Sequence, residues 1–174
     1  GVFCGPVANG LFDAGTKLVD ISQQFLKIIS RTFFPFLSRK IDKHTLFSKI
    51  YMLFTLIVTL GLIFFAPFLI PVFFSEEFSE SIKVLRLMAI SGVFLTMSNI
   101  YGTNYLIIIG RERSLRNLTM YASLLGFVIA IPLIYYGGYM GAVAIIVFVR
   151  MLLGVGSYLL AYNCKKNICK KNLL

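Results

Sequence analysis

From Ile50 to Ser75 the chain runs for 26 residues without a formal charge, bounded by Lys49 and Glu76. As an α-helix such a run rises about 39 Å at 1.5 Å per residue, more than the ~30 Å of a bilayer's hydrocarbon. A helix apolar on every side has to be buried in a large core or in lipid. A chain of 174 residues offers no core of the first kind for a composition that is 58% hydrophobic and 14% charged, with a mean hydropathy of +0.85. The class is therefore an integral membrane protein, all-α, folded as a polytopic helical bundle.

The remaining runs follow the same plan. A helix from about Asp13 to Leu37 is long enough to cross, with Pro35 near its end. A third apolar run lies between Arg86 and Arg111. Between Arg116 and Arg150 lie 33 uncharged residues, too many for one crossing, and Tyr135-Tyr136-Gly137-Gly138-Tyr139 divides them. Five transmembrane helices result, at about 13–37, 50–75, 87–110, 117–136 and 139–162, in a membrane domain covering 13–163. Pro67 and Pro71 should kink or unwind the last turns of the second span, and Pro132 shapes the fourth. Residues 1–12, with Gly1, Gly5, Pro6 and Gly10, suit a loop or the end of a missing helix, and 164–174 form a basic, frayed tail. The chain opens on Gly1 and shows no basic n-region with a cleavage site, so the expectation is a fragment lacking its N-terminal part, without a signal peptide.

Charge sets the orientation. Arg39, Lys40, Lys43 and Lys49 fill the first loop, Arg111, Arg113 and Arg116 the third, and Lys165, Lys166, Lys170 and Lys171 the tail. These eleven of the 17 basic residues fall on one side when five spans alternate. The second loop holds Glu76, Glu77, Glu80 and Lys83, and the fourth is uncharged. The positive-inside rule then puts the C-terminus in the cytoplasm and residues 1–12 on the periplasmic side. The net charge of +10 is orientation signal: the basic residues form no continuous stripe of the kind that binds nucleic acid.

One span departs from the rule of uncharged crossings. In KLVDISQQFLKIISR, Lys17, Asp20, Gln24, Lys27 and Arg31 recur at helical spacing and share roughly 80° of one face. Leu18, Ile21, Phe25, Ile28 and Ile29 occupy the other side. Lys, Arg or Asp at mid-bilayer costs about 2.5 to 3.5 kcal/mol each, so residues such as Lys27 and the mid-span Arg150 should line a water-filled cavity or pair with one another. Lys17, Lys27, Arg31 and Arg150 outnumber the one carboxylate, Asp20, by three. A phosphate-bearing anion would fit that surplus. Two structural readings compete: the outer cations snorkel to the interfaces, or the first helix lies flat in the interface as amphipathic basic helices do.

Other polar residues read as architecture. Ser98, Asn99, Thr103 and Asn104 are expected to bond between helices, and Tyr135, Tyr136 and Tyr139 to sit at the membrane interface. His44 reads as a solvated loop residue, and Cys4, Cys164 and Cys169 as inert thiols without zinc spacing. No catalytic triad, metal motif or nucleotide loop is present in the sequence, so no enzyme activity, metal or cofactor is expected.

With loops and charges placed, the chain resembles the C-terminal part of a polysaccharide (O-antigen) flippase, of the superfamily shared with lipid II flippases and multidrug and toxic-compound extruders. GLFDAGTKL at Gly10–Leu18 is similar to that family's glycine-aromatic-alanine-lysine-leucine helix start, and PFLS at Pro35–Ser38 to its helix exit. FFSEEFSESIKVLRLMA at Phe73–Ala89 resembles its external turn and the amphipathic start that follows. GYMGAVA at Gly138–Ala144 resembles the small-residue opening of its last helix. Ser75 stands where the family has glycine.

The resemblance implies a two-bundle transporter of twelve or more spans, of which these would be the last five. The partners implied are the missing N-terminal helical bundle, the lipid bilayer, an undecaprenyl-pyrophosphate-linked oligosaccharide and a polysaccharide polymerase, in the bacterial inner membrane. The oligosaccharide would cross by alternating access, with Lys27, Arg31 and Arg150 engaging phosphate or acidic sugar, Gln24 between them, and Lys17 and Asp20 toward the periplasmic mouth. The alternatives are a cation-coupled multidrug extruder of the same superfamily and a non-transporting membrane component of a glycan assembly complex.

Overall fold

The computed structural model describes residues 5–40 and 43–171, with side chains described as far as Lys165. Among the described residues the secondary structure is helical throughout. Helix α1 spans Pro6–Arg39 and α2 spans His44–Phe74. A 3-10 turn, Glu76–Phe78, leads into α3, Ser81–Ser98, which continues without a break as a π-helical stretch, Asn99–Leu106. The last helical stretch, Glu112–Lys171, is interrupted at Gly138, whose φ of 56° and ψ of −137° belong to no helix. It therefore divides into α4, residues 112–137, and α5, residues 139–171.

The two arms run antiparallel. A side chain on Gly126 would strike Val149, one on Gly141 the carbonyl of Leu133, and one on Gly156 the side chain of Leu118. As one number rises the other falls, which is the register of a hairpin closed at the Gly137–Gly138 turn. The positive φ at Gly138 is one that a Cβ would oppose, so the turn needs glycine there.

Helix α3 is central, contacted by α1, α2 and the 112–171 helices. At Gly154 a Cβ would lie 2.5 Å from the Phe94 carbonyl, so α5 and α3 approach backbone to backbone, as membrane helices do through small residues. At one end Ser81 Oγ donates to the Leu11 carbonyl at 2.7 Å and the Tyr139 hydroxyl to Glu80 at 3.4 Å. Next to that end lies a dry core of Val19, Ala66, Ile70, Val84, Leu85, Met88, Ala89 and Val143. The opposite end has a smaller cluster around Leu26, Tyr51 and Ile100.

The packing is inside-out relative to a soluble protein. Helix α2 buries His44, Ser48, Tyr51, Thr55, Thr59, Ala66 and Ile70, and exposes Leu53, Ile57, Leu60, Phe64, Phe68 and Val72. Small and weakly polar residues join the helices, and large apolar ones face outward, as lipid solvation demands. Three stretches are long and apolar enough to cross a membrane: His44–Phe74, Ser81–Leu106 and Glu112–Lys165. Helix α1 is long enough, but its polar ladder leaves it outside that group.

Several boundaries differ from the sequence reading. Helix α1 begins at Pro6, where a proline costs no hydrogen bond, so residues 6–12 are helix rather than loop. Helix α2 stays helical through Pro67 and Pro71 to Phe74. Helix α5 continues to Lys171, past the expected start of the tail. Cys4, Cys169 and the side chains of Lys166, Lys170 and Lys171 lie outside the described residues.

Candidate functional site

The circumference of α1 divides into three stripes of roughly a third each. One packs against the bundle: Thr16, Val19, Gln23, Leu26 and Ser30 are all buried. A second is apolar and open, with Ile21, Phe25 and Ile28 each more than half exposed. The third is the polar ladder, and Lys17, Asp20, Gln24, Lys27 and Arg31 are all exposed along it. The expectation of an apolar face opposite a polar one is corrected here: neither predicted face is the packed one. In a membrane the greasy stripe prefers lipid, which leaves helix contact to small and weakly polar side chains.

Arg150 reaches this ladder from α5. Its Nη2 lies 3.8 Å from Asp20 Oδ1, and its Nη1 donates to Ser91 Oγ at 2.9 Å. Ser91 in turn donates to the Met88 carbonyl at 2.7 Å, so α1, α3 and α5 meet in one polar junction. The Arg150 side chain is 18% exposed and that of Asp20 53%, which puts the pair at the rim of the packing rather than inside it. Among the described residues it is the one ion pair within 4.0 Å. Asp20 and Arg150 are thus brought together, whereas Lys17, Gln24, Lys27 and Arg31 stand along the same exposed face without a carboxylate beside them. From Lys17 to Arg31 the ladder extends about 21 Å.

Sequence reasoning missed Gln23, next door to the ladder residue Gln24. It is buried against Gly92 of α3 and its Oε1 lacks a hydrogen-bond partner, as does the Thr96 hydroxyl one turn further on. The signal was its place on the buried stripe, between Val19 and Leu26. His44 was misjudged too. It is buried, its Nε2 lies 3.1 Å from the Ile100 carbonyl and its Nδ1 3.2 Å from Ser48 Oγ, so it is a helix-joining residue and not a solvated one. The 4-3-4 spacing of His44, Ser48, Tyr51 and Thr55 carried that information. Of the polar group on α3, Asn104 donates to Ser30 of α1 at 2.8 Å, and Ser98 faces Ser157 of α5 at 3.4 Å. Both bond between helices as expected; Thr103 is exposed.

Two cavities lie away from the ladder. One of about 490 Å³ sits between α1 and α2, walled by Phe33, Phe36, Phe47 and Phe54. The other, about 920 Å³, lies between α2, the π-helical stretch and α5 near the Lys49 and Lys165 ends. Among the described residues no cluster of metal-ligating side chains occurs.

No family model matches the chain, and no solved structure matches it significantly. Over 153 residues, 84% of its length, it is 31% identical to a candidate O-antigen transporter of Shigella dysenteriae. The chain is related to the O-antigen flippase family. It spans 38% of the length of that relative. Together with the membrane-length apolar helices and the outward-facing greasy surface, the relationship makes it a multi-pass membrane protein.

Proposed function

We propose that this chain is the C-terminal helical bundle of a flippase that carries a lipid-linked oligosaccharide across the bacterial inner membrane by alternating access. All five long helices cross in this reading, with the Lys49 and Lys165 ends in the cytoplasm and Glu76–Glu80 in the periplasm. The carrying observation is the exposed ladder on α1. Lys27 and Arg31 sit on a face that this bundle does not cover, one stripe away from the surface suited to lipid. That is where the water-filled space between two bundles would lie, and intramembrane cations belong in such a space. The pyrophosphate of a polyprenyl-linked sugar supplies the negative charge that the five helices lack. Lys27 and Arg31 would meet it first. Arg150, with donors to spare beyond Asp20 and Ser91, would hold the deeper end, with Gln24 between and Lys17 at the periplasmic mouth.

The alternatives are less well supported. An extruder of cationic drugs needs carboxylates in its cavity, and Asp20 is already engaged by Arg150. A purely anchoring component would not need the ladder at all. The test is complementation of a deletion strain with the full-length protein carrying Lys27→Ala and Arg31→Ala. Surface polysaccharide should be lost while protein level is kept. Normal export by that variant, or by one with leucine throughout the ladder, would overturn the proposal.

A further inference from the structure

The 920 Å³ cavity takes no part in the proposed transport path, and its walls are ordered by polarity. Helices α2 and α5 run in opposite directions, so Lys49 near the start of α2 and Lys165 near the end of α5 stand at the same level. Away from those lysines the numbering rises on α2, through Met52, Leu53 and Leu56, and falls on α5, through Tyr162 and Tyr158. The π-helical stretch closes the back with Tyr101 and Tyr105. Tyr101 meets Tyr158 edge-on at 5.0 Å between ring centres. The cavity therefore has a cationic mouth, a tyrosine collar and an aliphatic floor, and no carboxylate in its wall. Leu53 and Leu56 are 60% and 42% exposed, so the floor opens sideways, onto acyl chains.

We infer that this cavity is a binding site for an anionic phospholipid of the cytoplasmic leaflet, its phosphate between Lys49 and Lys165 and an acyl chain along Met52, Leu53 and Leu56. Lysines with tyrosines mark the headgroup level of a bilayer, and basic pockets between spans on the cytoplasmic side hold anionic headgroups. Free phosphate would leave the aliphatic floor unused, and a zwitterionic lipid would bring its own cation to the lysines. The inference rests on the membrane orientation proposed above, though not on transport.

The full-length protein, purified and placed in phosphatidylcholine nanodiscs, is titrated with fluorescent phosphatidylglycerol. The native protein should bind it, and K49Q/K165Q should bind roughly thirtyfold more weakly, each lysine contributing about a kcal/mol at 1.4 kcal/mol per tenfold. Leu56→Trp, which fills the floor and leaves both charges, should also weaken binding, whereas K27Q/R31Q on the distant ladder should bind normally. Equal binding by K49Q/K165Q, or equal retention of fluorescent phosphatidylcholine, would overturn the inference. So would displacement by polyprenyl phosphate at concentrations where phosphatidylglycerol does not compete, which would give the cavity to the transported carrier. Phosphatidylglycerol bound by a protein that exports nothing would support this site while the transport reading fell.

Discussion

Helices α1 and α2 both bury a stripe of small and weakly polar residues, Thr16 through Ser30 in one and His44 through Ile70 in the other. They differ in what they turn outward. Helix α2 presents one continuous apolar surface, Leu53 through Val72, of the kind that acyl chains solvate. Helix α1 divides its outer side between an apolar stripe and a ladder of four charges and a glutamine. The inner stripes are alike because helix contact in a membrane asks the same of every helix, close approach with satisfied polar groups. The outer faces differ because only one of them has lipid alone for a neighbour.

The largest effect should come from imposing the α1 pattern on α2. Leu60→Lys puts a cation on the 63%-exposed outer face and should cost about 3 kcal/mol of insertion, more than a hundredfold in the inserted fraction. A glycosylation-tag insertion assay reads it directly. Tolerance of that lysine as complete as for native Lys27 would erase the distinction between the two faces.

Next in size is the end of α2. Ser75 has φ 87° and ψ 164°, a region that in effect only glycine occupies without strain. The position where the sequence departs from its resemblance to the flippases is thus one where the backbone asks for glycine. Ser75→Gly should stabilise the protein by about 1 kcal/mol, seen as a raised Tm in detergent. A lowered Tm would mean that the serine hydroxyl matters more than the backbone.

A double-mutant cycle of Asp20→Asn and Arg150→Gln sharpens the ladder side of the comparison. Because Asp20 is half exposed, the coupling should be only 0.5 to 1 kcal/mol, roughly, by thermal unfolding. A coupling several times larger would place the pair in a dry interior. The smallest effect belongs to the shared inner stripes. Removing the Asn104–Ser30 bond with Ser30→Ala should cost about 0.6 kcal/mol, the average for interhelical bonds in a membrane. A cost of several kcal/mol would make that bond an organising contact.

Much of this could be read from the residues alone. The uncharged run after Lys49 became α2, the acidic turn at Glu76 broke the helix where expected, and the Tyr-Gly-Gly segment reversed the chain at Gly138. The ladder's spacing did put its five residues on one exposed face. The packed side of α1 was not recognised, because a two-sided view of the wheel assigns packing to the most apolar residues, and lipid takes those for itself. Thr16, Gln23 and Ser30 look unremarkable until the third stripe is drawn. His44 was misread for a related reason: a lone histidine beside lysines looks solvated unless its helical partners Ser48 and Tyr51 are counted with it. Ser91, which receives Arg150, is distant in sequence and carries no local mark.

The π-helical stretch Asn99–Leu106 carries a consequence for how this chain can vary in length. The amide of Ile107 bonds back to the carbonyl of Gly102 and that of Arg111 to Leu106, five residues apart instead of four. A rod wound this way has absorbed surplus residues without snapping. Trimming one residue there should tighten the coil into an ordinary α-helix, swinging Ile109 and the Arg111–Arg116 loop about 100° around the axis. Single-residue deletions, ruinous in most helices, are at this place a dial that turns the cytoplasmic end of α3 against its neighbours.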